Sequence, residues 1–92
     1  MKETDGQLFL EDIPVKSLIT EYGTPTFIYS SRAIEENFLK YKNEIRNGDL
    51  ICYAVKANSN LHILKLLIRL GSGFDVVSGN ELKRCLTAGA DK

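Results

Sequence analysis

Lys56 is the residue in this sequence best placed to do chemistry. It closes the apolar part of the run Leu50-Ile-Cys-Tyr-Ala-Val-Lys-Ala-Asn58, which reads as a buried strand. Burial penalises an ammonium group by desolvation. A lysine at such a strand end either escapes into solvent or has a task. One task fits: a desolvated amine attacks an aldehyde and holds it as a Schiff base. Side chains alternate along a strand, so Leu50, Cys52, Ala54 and Lys56 share one face. Cys52 and Ala54 are small and leave room beneath Lys56 for a flat ring. Asp75 lies in the next apolar run, Phe74-Asp-Val-Val77. If the two runs are neighbouring parallel strands, Asp75 stands near Lys56 at the same end. A carboxylate there could stabilise a protonated imine, or it could pair with a nearby donor for structural reasons.

Other chemical candidates are weaker. His62 is the one histidine, so no zinc site or Ser-His-Asp triad assembles around it. It falls on the polar side of its helical pattern and is expected to be solvated. Cys52 and Cys85 are far apart and outside any C-x-x-C spacing, so both are expected to be buried, reduced thiols. Gly71-Ser-Gly73 precedes a strand instead of linking strand to helix, so it is a turn and not a dinucleotide fingerprint. Tyr53 is expected to pack, with its hydroxyl requiring a partner if buried.

Several elements must position Lys56 and Asp75. Gln7–Leu10 forms a short strand. Pro14 and Gly23 bracket a helix over Val15–Tyr22. Thr26–Tyr29, rich in aromatic and β-branched residues, reads as a strand. Ser30 or Ser31 caps the next helix, with Ile34, Phe38, Tyr41 and Ile45 as its apolar stripe, and Asn47-Gly-Asp49 stops it. The strand Leu50–Val55 follows. Asn58-Ser-Asn60 offers caps for a helix over Leu61–Leu70, and Gly71 suits the left-handed position after it. After the strand Phe74–Val77, Ser78-Gly-Asn-Glu81 has capping-box spacing, and Gly89 ends the last helix.

From Thr26 onward, strands and helices alternate, which predicts βαβ units and a parallel sheet. Ligands of such folds collect at the carboxyl ends of strands, where Lys56 and Asp75 fall. A (β/α)8 barrel needs ~250 residues, so 92 residues could supply only part of one. Twelve basic residues balance twelve acidic ones, which argues against a nucleic-acid face and gives no support to a membrane-surface role. Without a membrane-spanning run or a leader pattern, a cytoplasmic location is expected.

The segments Tyr53-Ala-Val-Lys-Ala-Asn58 and Gly73-Phe-Asp-Val-Val-Ser-Gly-Asn-Glu-Leu82 resemble the amino-terminal part of the diaminopimelate decarboxylase family. That family belongs with the pyridoxal-phosphate enzymes of the alanine-racemase and ornithine-decarboxylase fold. Gly23-Thr-Pro-Thr-Phe-Ile-Tyr29 is similar to the segment that leads into the same fold, so the likeness runs from about Gly23 to Gly89. The resemblance implies that Lys56 forms the Schiff base with pyridoxal 5′-phosphate and that Asp75 and Ala54 lie beside the cofactor. It implies decarboxylation of meso-diaminopimelate to lysine, a small amino-acid substrate, and a homodimer for the intact enzyme.

It also implies a fold: residues 26–92 as the first βα units of a (β/α)8 barrel, and residues 1–25 as a short β/α lead-in that packs on a β-rich domain. Family enzymes continue for hundreds of residues. Their phosphate-binding glycines, their acidic partner for the pyridine nitrogen and their substrate contacts come later in the chain. This sequence therefore reads as an amino-terminal fragment, expected to be inactive alone. Other readings are a related amino-acid decarboxylase, a non-catalytic pyridoxal-phosphate-binding protein, or a small interaction domain without a cofactor.

Overall fold

The computed structural model describes residues 2–91. By its internal contacts the chain divides into two compact units, Met1–Arg32 and Ala33–Lys92.

The first unit holds a three-stranded antiparallel sheet of β1 (Lys2–Thr4), β2 (Gln7–Leu10) and β3 (Ile13–Pro14), followed by helix α1 (Val15–Tyr22). β1 pairs with β2 through Thr4↔Gln7, so Asp5-Gly6 is a two-residue turn. Both turn residues have positive φ, 52° and 75°, the geometry that matches the twist of a hairpin and that Asp-Gly favours. α1 spans the residues its Pro and Gly boundaries predict. Gly23, at φ 78°, donates from its N–H to the Ile19 carbonyl at 2.8 Å and closes the helix. The Arg32 guanidinium pairs with Glu11 at 3.6 Å and Asp12 at 3.8 Å, and Ser30 Oγ donates to Glu11 Oε2 at 3.1 Å.

One expected strand does not form. Residues 26–29 have no strand assignment, and Phe27 is 89% exposed. β-propensity reflects packing against a cross-strand neighbour, and no described strand pairs with this segment.

The second unit takes most of α2 (Ser31–Lys42), then β4 (Cys52–Ala54), a 3-10 turn (Val55–Ala57), α3 (Leu61–Arg69), β5 (Gly73–Asp75) and α4 (Gly79–Ala88). α2 is shorter than its apolar stripe suggested. Phe38 is its buried residue, while Tyr41 is 69% exposed and Ile45 lies beyond the helix end. Lys42 fastens that end: its Nζ donates to the Leu70 carbonyl at 3.0 Å and stands 5.9 Å from the Phe38 ring centre.

β4 and β5 pair in parallel, with α3 as the crossover between them, so the fold class is α/β. The helix ends are set locally. Asn60 Oδ1 accepts the His62 N–H at 2.9 Å at the start of α3. At its end Gly71, at φ 89°, donates to the Ile68 carbonyl and Ser72 donates to Leu67, both at 3.0 Å, which is a Schellman closure. α4 repeats the device with Gly89 and Ala90 donating to Leu86 and Cys85. At its start Ser78 Oγ accepts the Glu81 N–H at 3.2 Å, and Glu81 Oε1 accepts the Val77 N–H at 3.1 Å. The core consists of Val55, Leu64, Cys85 and Ala88, with Tyr53, Leu61, Ile68, Phe74, Val76 and Ala90 packed around it.

Candidate functional site

The register of β4 and β5 is Cys52↔Gly73, Tyr53↔Phe74 and Ala54↔Asp75. Paired residues of parallel strands point to the same side, and successive residues to opposite sides. Tyr53 and Phe74 turn toward the helices, meeting edge to face with ring centres 6.5 Å apart. Cys52, Ala54, Gly73 and Asp75 share the other face. A Cβ on Gly73 would meet Leu50 Cδ2 at 2.9 Å and Cys52 Sγ at 3.0 Å, so a larger residue there would have to displace those two side chains.

That face carries no core of its own, which corrects two expectations. Cys52 is exposed, not buried; only Cys85 is a buried thiol. The buried strand over Leu50–Val55 is also shorter, since β4 stops at Ala54. There Val55, fully buried, inserts into the core, and its carbonyl accepts the Asn58 N–H at 3.1 Å, which curls the chain into the 3-10 turn. Lys56 is therefore an exposed turn residue just past the carboxyl end of the strand, not a desolvated strand residue. Asp75 is exposed as well. The parallel register brings Ala54, Lys56 and Asp75 to one end of the sheet, as their spacing predicts. No ion pair joins Lys56 to Asp75 among the described residues.

Two features of the loop after β4 were not read from the sequence as part of the site. Tyr53 Oη donates to the Asn58 carbonyl at 2.9 Å, and Arg84 Nε donates to the Ser59 carbonyl at 2.9 Å. The first had a sequence signal, because a packed tyrosine needs a hydroxyl partner. The second joins residues 25 apart and had none. His62 is exposed, as expected. No helix among the described residues is long and apolar enough to cross a membrane, and no His, Cys, Asp and Glu group among them could hold a metal ion.

An amine and a carboxylate thus stand at the carboxyl ends of adjacent parallel strands in an α/β protein, the edge at which ligands of such sheets collect. The family described as "Pyridoxal-dependent decarboxylase, pyridoxal binding domain" matches residues 31–92, and the chain belongs to it. Over 92 residues the chain is 50% identical to a diaminopimelate decarboxylase of Vibrio cholerae, covering 97% of this chain and 22% of that one. A diaminopimelate decarboxylase of Pseudomonas fluorescens is 47% identical over 90 residues, 95% of this chain and 22% of its own. Among solved structures, a crystal structure of an Aquifex aeolicus protein superposes with a TM-score of 0.90 at 48% identity, covering 96% of this chain and 22% of that one. The diaminopimelate decarboxylase of M. jannaschii, crystallised with L-lysine, superposes with a TM-score of 0.82 at 33% identity, over 95% of this chain and 22% of its own. The chain thus spans about a fifth of the length of these relatives.

Pyridoxal 5′-phosphate is the cofactor this family implies. The residues present fit it by their chemistry. Lys56 offers an exposed primary amine, the group that condenses with an aldehyde. Ala54 and Gly73 keep the sheet surface low, and Asp75 adds a carboxylate on that face.

Proposed function

We propose that this chain is the amino-terminal, cofactor-attaching part of a pyridoxal-phosphate-dependent decarboxylase that converts meso-diaminopimelate to lysine. The observation that supports this best is the match to diaminopimelate decarboxylases along nearly the whole chain, at about half identity, with Lys56 standing at the ligand end of the paired strands. Residues 26–92 then begin a (β/α)8 barrel, and residues 1–25 form a lead-in that packs on a β-rich domain. The intact enzyme is a cytoplasmic homodimer acting on a free amino acid.

Each residue has a role in this reading. Lys56 Nζ is the point of covalent attachment, and when unbonded it carries a proton to or from the reacting carbon. Asp75 favours positive charge at that nitrogen. Ala54 leaves the space a flat ring needs. Bound pyridoxal phosphate supplies an electron sink for the pair left as carbon dioxide departs.

The test is a chimaera in which this chain replaces the matching fifth of the Vibrio cholerae relative. Carbon dioxide release from meso-diaminopimelate is expected, along with cofactor fixed to Lys56 after borohydride reduction. Lys56→Ala should remove both while the far-ultraviolet circular dichroism stays unchanged. A folded chimaera with its cofactor on another lysine would refute the assignment. Attachment at Lys56 without carbon dioxide release would favour a non-catalytic carrier.

A further inference from the structure

The side chain of Lys56 is exposed, so its own packing does not fix where the amine points. A four-carbon stem is flexible, and its aim is set by the backbone from which it projects. That backbone is a three-residue 3-10 turn closed at its exit by the Asn58 N–H, which donates to the Val55 carbonyl at 3.1 Å. Short 3-10 turns have poor hydrogen-bond geometry and hold weakly by themselves.

Side chains from two other positions hold it from outside. Tyr53, in β4, donates its hydroxyl to the Asn58 carbonyl at 2.9 Å, and Arg84, in α4, donates Nε to the Ser59 carbonyl at 2.9 Å. Both are anchored: the Tyr53 ring packs on Phe74 and the core, and Arg84 lies beside buried Cys85 in a helix capped at both ends. The loop continues the chain of bonds, since Asn58 Oδ1 accepts from the Asn60 N–H at 3.0 Å and Asn60 Oδ1 accepts from His62.

We propose that Tyr53 and Arg84 are positioning residues: they clamp two consecutive carbonyls of the loop after β4 and so fix the backbone that aims Lys56. The inference rests on the reading of Lys56 as the attachment point. Neither side chain is assigned contact with the cofactor or the substrate; both act through the loop.

The experiment uses the full-length protein carrying Tyr53→Phe, Arg84→Ala or both. Tyr53→Phe keeps the ring and removes the hydroxyl that donates to the Asn58 carbonyl. Lys42→Met is the control, because it deletes a comparable side-chain bond to the Leu70 carbonyl at the far end of α3. The first readout is amide hydrogen exchange across residues 55–60 in cofactor-free protein. Loss of one such bond should speed exchange there by about three- to tenfold, with residues 64–69 unchanged. The second is the rate at which pyridoxal 5′-phosphate becomes borohydride-trapped on Lys56, expected to fall by a similar factor in both single variants and not in Lys42→Met. Unchanged exchange in residues 55–60, or faster exchange with parental trapping rates, overturns the proposal. If the parent takes no cofactor at Lys56, the attachment reading fails, and the exchange measurement still decides whether the clamp exists.

Discussion

Replacing Leu64 by alanine tests whether the small core behind the site governs the stability of the chain. Leu64 is fully buried in α3 and packs with Val55, the residue next to Lys56, and with Cys85 and Ala88. The substitution removes three carbons, worth ~2.4 kcal/mol in transfer at ~0.8 kcal/mol per buried carbon. A cavity term adds to this, because Val55 and Cys85 are 0% and 2% exposed and are held by separate elements. The void cannot collapse freely, and Leu→Ala changes in such sites cost about 3–5 kcal/mol. Leu82→Ala, at a position 48% exposed in α4, should cost less than about 1 kcal/mol. Urea unfolding of the chain followed by far-ultraviolet circular dichroism reads both. Equal midpoints for the two variants, at an unchanged slope, would refute the assignment of the core.

The two cysteines should separate cleanly toward a thiol reagent: exposed Cys52 reacts at once, and buried Cys85 at least ~100-fold more slowly, with quantitative mass spectrometry as the check. Burial, with Glu81 adding to it, pushes the Cys85 thiol above its ordinary range. The folded state therefore favours the neutral thiol; that stability is present below the unfolded value and is lost as pH rises through the folded one. Cys85→Ala should correspondingly flatten the alkaline limb of a stability–pH curve. Asp75→Asn in the full-length protein should shift the pH at which the bound cofactor changes colour to lower values, because a carboxylate that favours positive charge is gone. An unchanged colour titration would leave Asp75 with a structural role only.

What could be read from the sequence follows from the range of the interactions. Helix ends depend on neighbours a few residues away, and Asn60, Gly71, Ser78 with Glu81, and Gly89 all take the roles that spacing assigns them. The gathering of Ala54, Lys56 and Asp75 was legible because two apolar runs separated by a helix leave a parallel register as the natural pairing. The misreadings involve partners. Residues 26–29 have strand composition but no described strand beside them, and Cys52 has an apolar setting in sequence but lies on the uncovered face. β1 was missed although Asp5-Gly6 is a hairpin signal, because Lys2–Thr4 carries no apolar pattern. The Arg84–Ser59 bond spans 25 residues and leaves no trace in any local window.

The uncovered sheet face has a consequence for mutational mapping. Cys52, Ala54 and Asp75 rest on no core within their unit, so a saturation library of this chain selected for folding alone should tolerate substitutions there almost as freely as in a surface loop. The same library carried in an active full-length enzyme should lose that tolerance at Ala54 and Asp75 while keeping the same pattern at Val55 and Leu64. Subtracting one map from the other would then test, position by position, the surface proposed to face the cofactor. Gly73 should be sensitive in both maps, since a Cβ there would press on the Leu50 and Cys52 side chains.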